Sequence, residues 1–373
     1  METTELTCYL ALHLASGIGS RRLLALHEYF GSAERAIYAK HQEWMQVPGF
    51  GRGIADSLLA SRDNALDQAA KQIARLPADT SIVTYYEETY PALLKSIDAP
   101  PALLFVCGNV QLLKAERTIA IVGSRKTSDY GRRAARELAE RFARDGVTVV
   151  SGFAKGIDTQ AHEATFEAGG STIAILGSGV DVIYPTSNKQ FATQLIESGR
   201  GIIASELPLG ANPDARNFPW RNRIVSGLAR ATVVVESESD GGSMITASIA
   251  YNEKRDVYAI PGDLYRTSSS GPNRLIRESR ARIATSPEQI LTELGWSNGA
   301  NKQEKKKPLD RTGLSMFEAR IIDVLDAAGG PLVIDQIAER SGFEVQDLFM
   351  QLFSLEMKNL IRPMAGKQYT LSV

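Results

Sequence analysis

Gly123-Ser124-Arg125-Lys126, with Ser128 just after, places small residues and two positive charges in one short loop. An apolar run, Ile119-Ala120-Ile121-Val122, precedes the loop, and a helical pattern starts near Tyr130. A buried strand that turns through Gly-Ser into a helix start leaves unpaired N–H groups and a positive helix end at one spot. That spot suits a phosphate, and Arg125 and Lys126 favour an anionic ligand over a neutral one. The same grammar recurs in Ser151-Gly152-Phe153-Ala154-Lys155-Gly156-Ile157-Asp158 and in Gly177-Ser178-Gly179. One such loop is ordinary turn chemistry, whereas several on one rim with basic residues make an anion-binding trough.

A second cluster runs Asn217-Phe218-Pro219-Trp220-Arg221-Asn222-Arg223. On a proline-started helix, Phe218 or Trp220 can stack a base while Arg221 and Arg223, with Asn222 between them, grip a phosphate backbone. Aromatic core anchors beside exposed arginine caps would give the same pattern, so the segment alone supports both arrangements.

The elements that position these loops are short apolar runs at 119–122, 147–150, 172–176, 202–205, 232–236 and 257–260, separated by helical patterns. Such strands are parallel, buried on both faces and joined by right-handed crossovers. The expected fold class is α/β, a doubly wound sheet with its ligands at the carboxyl ends of the strands. The segment Gly177-Ser178-Gly179-Val180-Asp181-Val182 has valine where a dinucleotide fingerprint needs its third glycine, and no Walker A loop occurs. Neither NAD nor ATP is expected, and no cofactor is assigned.

The blocks GSRxxSxYG (Gly123 to Gly131), SGxAxGID with a later AH (Ser151 to Asp158, Ala161-His162), LGSGVDxxYPxxN (Leu176 to Asn188), SE (Ser205-Glu206), FPxRNRIVSGL (Phe218 to Leu228) and AIPG (Ala259 to Gly262) form one ordered set. In order and spacing the set resembles the bacterial DNA-processing protein A family, also called Smf. The resemblance implies an extended Rossmann-like domain that binds single-stranded DNA. It further implies a part in natural transformation, competence and homologous recombination, protection of incoming strands, loading of the recombinase RecA, and a homodimer. It carries a DNA-contacting role onto Arg125. One block departs from the family pattern: Gly271-Pro272-Asn273-Arg274-Leu275-Ile276-Arg277-Glu278 continues into Ser279-Arg280 where the family has glycine, and Arg274 adds positive charge there.

Glu236-Ser237-Glu238-Ser239-Asp240-Gly241-Gly242-Ser243 sets acidic residues before a Gly-Gly-Ser turn at a helix start. It is similar to the phosphoribohydrolase relatives of this fold, in which glycines hold a nucleotide phosphate and a glutamate assists N-glycosidic cleavage. The chain lacks their P-G-G-x-G-T run. Gly241 and Gly242 are therefore read as DNA contacts, no catalytic residue is assigned, and a nucleotide-binding hydrolase stands as the alternative.

A chain of 373 residues calls for two or three domains. Its formal net charge of -1 confines a nucleic-acid site to a local basic patch. Cys8 and Cys107 lack metal spacing, and His13, His27, His41 and His162 form no ligand motif, so no metal is expected and His162 reads as structural. The cysteine usage and the absence of a signal peptide or long apolar span predict a cytoplasmic protein without membrane contact.

Residues 1–75 read as an all-α domain, for which the family resemblance implies a sterile-alpha-motif-like or helix-hairpin-helix module. Its turns Gly17-Ile18-Gly19 and Gly49-Phe50-Gly51 either hold a DNA phosphate or cap the helices of an interaction bundle. Residues 76–296 carry the α/β domain, 297–312 a polar flexible tether, and 313–373 a winged-helix domain. In the last, Ser315-Met316-Phe317-Glu318 is a capping box, and Ala365-Gly366-Lys367 turns a hairpin. The third helix of that domain, from Val345, carries Asp347 and Glu356 against Lys358, which points to protein contact or self-association rather than the DNA major groove.

Overall fold

The computed structural model describes residues 3–297, 314–328, 330–358, 360–364 and 368–371, in two compact units, Met1–Asn298 and Gly299–Val373. The apolar runs of the first unit become β3 (Thr118–Val122), β4 (Thr148–Ser151), β5 (Thr172–Ile175), β6 (Gly201–Ser205), β7 (Ala231–Val234) and β8 (Asp256–Ala259). Every residue of β3 through β7 is buried, as a sheet covered on both faces requires. With β1 (Thr80–Thr84), β2 (Leu103–Gly108) and β9 (Arg282–Ile283), the described residues form a nine-stranded sheet in the order β1-β2-β6-β5-β4-β3-β7-β8-β9. The block from β6 to β9 is parallel, while β2 pairs antiparallel with both β6 and β1. Strand–helix alternation does not reveal β1 and β2, because the connection between them holds a helix of only four residues, Ala92–Lys95.

Alternation along β3 sorts its side chains between two layers. Ile119 and Ile121 pack under the helices Asp129–Arg144 and Ile157–Glu167. Ala120 and Val122 face the opposite layer, which the helices Asn217–Gly227 and Gly242–Asn252 cover. The crossover leaving β3 thus goes to one face and the crossover leaving its neighbour β7 goes to the other. A crevice opens between those loops at the carboxyl ends, the place where open α/β sheets bind ligands.

The helices Thr3–Leu14, Ser20–Phe30, Ala33–Tyr38, His41–Trp44 and Arg52–Ala74 precede the sheet. Gly17 and Gly49 turn between them at φ 80° and 82°, a region that favours glycine. These helices share a continuous core with the sheet, in which Tyr9, Leu10 and Leu12 pack with Phe105, Ile203 and Leu209. Tyr9 Oη donates to Ala102 O at 3.0 Å, and Gln72 exchanges hydrogen bonds with the Leu209 backbone. No described helix is long and apolar enough to cross a membrane.

The second unit has the helices Met316–Ala328, Ile334–Ser341 and Val345–Met357 with a small sheet of β10 (Leu332–Val333), β12 (Gln368–Leu371) and β11 (Ile361–Met364), in that order. The capping box forms as expected: Glu318 N donates to Ser315 Oγ at 3.1 Å and Ser315 N to Glu318 Oε2 at 2.8 Å. On the third helix Leu348, Leu352 and Leu355 are buried, while Phe349, Met350, Phe353 and Met357 are exposed. The expected tether, apart from Ser297, and the hairpin turn at 365–367 lie outside the described residues.

Candidate nucleic-acid interface

The loops after β3, β4 and β7 are stitched together through their backbones. Ser124 N donates to Glu236 O at 2.7 Å, and Ile157 N donates to Ser124 O at 3.2 Å. Together with the start of helix Asn217–Gly227 they enclose an open groove of about 990 Å³ at the carboxyl rim. Gly123, Ser124, Arg125, Lys126, Gly152, Phe218, Arg221, Asn222, Gly241 and Gly242 all line it. The side chains of Arg125 and Lys126 are exposed, and neither has a carboxylate partner among the described residues.

The opposite wall is Phe218. Its ring lies directly on Gly177, where an added Cβ would sit 2.9 Å from Cδ1. Tyr184 meets it at 5.8 Å between ring centres, and the Arg125 guanidinium hangs 5.1 Å from its centroid. Asn222 Nδ2 reaches across to Gly242 O at 3.3 Å. Gly242 opens a helix that has no side-chain cap and no acidic residue in its first turn; Met244 N turns back to Gly241 O at 2.9 Å, and the N–H groups of Gly242 and Ser243 are the ones that can meet an anion.

The other helix start is different from the sequence expectation. The phosphate seat foreseen at Asp129–Arg144 is filled by the buried Glu236, whose carboxylate accepts from Ser128 N at 3.0 Å and from Ser128 Oγ. Gly131 lets it approach, since any Cβ there would collide with that carboxylate. Ser128 Oγ also caps Gly131 N at 3.1 Å, so its hydroxyl is engaged within the chain at the helix start. The sign of the effect is as expected for a helix dipole, but the anion comes from within the chain.

Several other candidates are also internal. Arg221, only 6% exposed, forms the floor: it donates to Ile175 O, lies against Gly152 and faces the buried Asp158. Burial pulls its guanidinium down to about 10, against the opposing pull of Asp158. Burial likewise raises Asp158, whose Oδ2 accepts from Gly152 N at 3.1 Å and Ala154 N at 3.4 Å. Arg223 points away from the groove into a buried ion pair with Glu206. Phe153 is fully buried, because a φ of 59° turns its ring inward against His162 and Phe191. Ser178 and Gly179 are buried, with Ser178 Oγ donating to Val182 O at 2.7 Å.

Lys155 is exposed but does not line the groove. Nor does Arg274, which sits on the helix Ser270–Arg277, 3.8 Å from Glu278. His162 is held neutral, driven to about 3 by burial and then by Arg221, with Nδ1 2.6 Å from Thr172 Oγ1. Sequence reasoning missed Tyr184, Thr267 and Ser268 in the lining. The polar run Thr267-Ser268-Ser269-Ser270 after β8 was the available signal for the last two. Burial pushes both cysteine thiols up to about 11, and among the described residues no cluster of His, Cys, Asp or Glu is arranged to hold a metal.

A family model described as DNA recombination-mediator protein A matches residues 81–295, and a second, the DprA winged helix domain, matches 305–367. Protein Smf of Escherichia coli is 37% identical over 295 residues, covering 78% of this chain and 75% of that protein. The solved DNA processing protein A of Streptococcus pneumoniae superposes with a TM-score of 0.67 at 32% identity, covering 77% of this chain and 97% of that one. That of Helicobacter pylori, described for its single-stranded DNA binding mode, gives 0.52 at 27% identity over 58% of this chain and 95% of its own. The chain belongs to the DNA recombination-mediator protein A family.

Proposed function

We propose that this protein binds single-stranded DNA along the groove, with Arg125 and Lys126 on its phosphates and a base laid against Phe218. As a mediator in natural transformation it would shield the incoming strand and place RecA on it, acting as a cytoplasmic homodimer. What carries the reading is the convergence of two exposed cationic side chains, an aromatic wall and a helix start without a side-chain cap on one rim. The Helicobacter pylori relative, described as binding single strands, supports the same ligand. Against the hydrolase alternative, Glu236 is buried and committed to Ser128, which leaves Glu238 as the glutamate of that segment that lines the groove, without the P-G-G-x-G-T run.

Two measurements test the proposal. Arg125→Ala weakens binding to single strands of every sequence and reduces the slope of log affinity against log salt by about 1, as loss of one phosphate contact does. An unchanged slope assigns Arg125 to structure instead. In the second unit the exposed Phe349, Met350 and Phe353 stand where a DNA-reading helix needs cations, so we assign it to protein contact. A chain ending at residue 298 therefore keeps its affinity for oligothymidylate in filter binding, and a large loss overturns that assignment.

A further inference from the structure

Trp220 follows Phe218 closely, yet it stands outside the groove, whose lining includes Pro219 and Arg221 but not the residue between them. The residue is 56% exposed. A bulky exposed side chain normally samples several rotamers, but this one is held twice. Nε1 donates to Glu206 Oε2 at 3.2 Å, and the Arg223 guanidinium lies 4.4 Å from the ring centre. Arg223 is itself clamped by the buried Glu206. One ring face is covered and the other is open and already ordered, which lowers the entropic cost of stacking something on it.

We propose that Trp220 is a second stacking platform, which takes an unpaired nucleobase of the strand after the strand has left the groove over Pro219. The proposal rests on the strand-binding reading above. Local charge suits a polyanion. Arg216, on the same turn, is exposed and paired with Asp214 at 2.8 Å. Ser20 Oγ donates to Glu206 Oε1 at 2.7 Å, which sets the start of the helix Ser20–Phe30, carrying Arg21 and Arg22 just after the Gly17–Gly19 turn, against the same carboxylate. Arg21 is exposed and paired with Asp98. Exposed pairs of this kind contribute little and exchange readily for phosphate. The glycine turn of the helical region thereby acquires a place beside the strand.

The test titrates full-length protein with oligothymidylates of increasing length while tryptophan emission and affinity are followed. Of the three tryptophans, Trp44 is fully buried and Trp296 packs on a core cluster, so the difference between parent and Trp220→Phe isolates Trp220. Short strands that fill the groove should leave emission unchanged, and longer ones should quench it in the parent but not in Trp220→Phe. Trp220→Ala should bind long strands about five- to a hundredfold more weakly and short ones as the parent does. Trp220→Phe, which keeps an aromatic face, should retain most of the affinity. Parent-like affinity of Trp220→Ala for long strands, or a parent whose emission ignores a bound long strand, overturns the platform and leaves the exposed ring to a protein partner. Should Trp220→Ala misfold, the emission difference with Trp220→Phe decides alone. If no oligonucleotide binds the parent at any length, the groove reading fails first and the platform falls with it.

Discussion

Arg221→Leu will destabilise the first unit by about 3–5 kcal/mol, the cost of leaving a buried carboxylate without its counter-charge. The stranded group is Asp158, 7% exposed, and Arg221 is the cation that opposes the rise of its pKa on burial. The Ile175 carbonyl loses its donor in the same variant. The defect has a pH signature. A carboxyl raised in the folded state holds a proton that the unfolded chain has released, so stability falls as pH rises through the interval between the two pKa values. Removing Arg221 widens that interval, and the variant regains stability on acidification relative to its parent, by up to about 1.4 kcal/mol per pH unit. His162 acts in the same direction, because loss of Arg221 relieves one of the two causes that keep it neutral. Urea unfolding of both proteins at neutral and mildly acidic pH measures the difference. Equal losses at both pH values would remove Asp158 from the account. Adding Asp158→Asn to Arg221→Leu should recover part of the loss, a coupling that a double-mutant cycle reads directly.

Glu206→Ala should cost a similar amount, about 3–5 kcal/mol, for the mirror-image reason. It leaves the Arg223 guanidinium buried with no anion, and two of its nitrogens, Nε and Nη1, already lack partners among the described residues. The same carboxylate holds Ser20 and Trp220, so three attachments are lost together. Glu206→Gln keeps an oxygen for Ser20 or Trp220 while removing the charge, and its loss should fall between parent and Glu206→Ala. A Glu206→Gln protein as stable as its parent in guanidinium unfolding would show that the charge itself contributes nothing.

The central strands were legible because each is a short, nearly unbroken apolar run ending at glycine or serine, and β3 through β7 appear within one or two residues of those runs. The rim of the groove was legible for the same reason. The roles of the arginines in the 217–227 helix were not, since an arginine beside an aromatic reads as a surface grip. Its burial depends on a carboxylate that only the fold supplies, 17 residues back for Arg223. Glu236 lies 108 residues from the Ser128 it binds, and no local pattern announces a carboxylate that far away at a helix start. Phe153 was misplaced because a residue flanked by glycine and alanine in a loop looks exposed, while its left-handed backbone sends the ring into the core. The antiparallel pair β1 and β2 breaks the strand–helix rhythm that revealed the others.

The common core beneath Tyr9, Leu10 and Leu12 has a practical corollary for anyone cutting the gene. A fragment that begins at residue 76 would strip the cover from Phe105, Ile203 and Leu209 and expose a contiguous oily surface to solvent. Such a fragment should precipitate or demand a chaperone, and so the helical head and the sheet are best inherited, expressed and assayed as one piece.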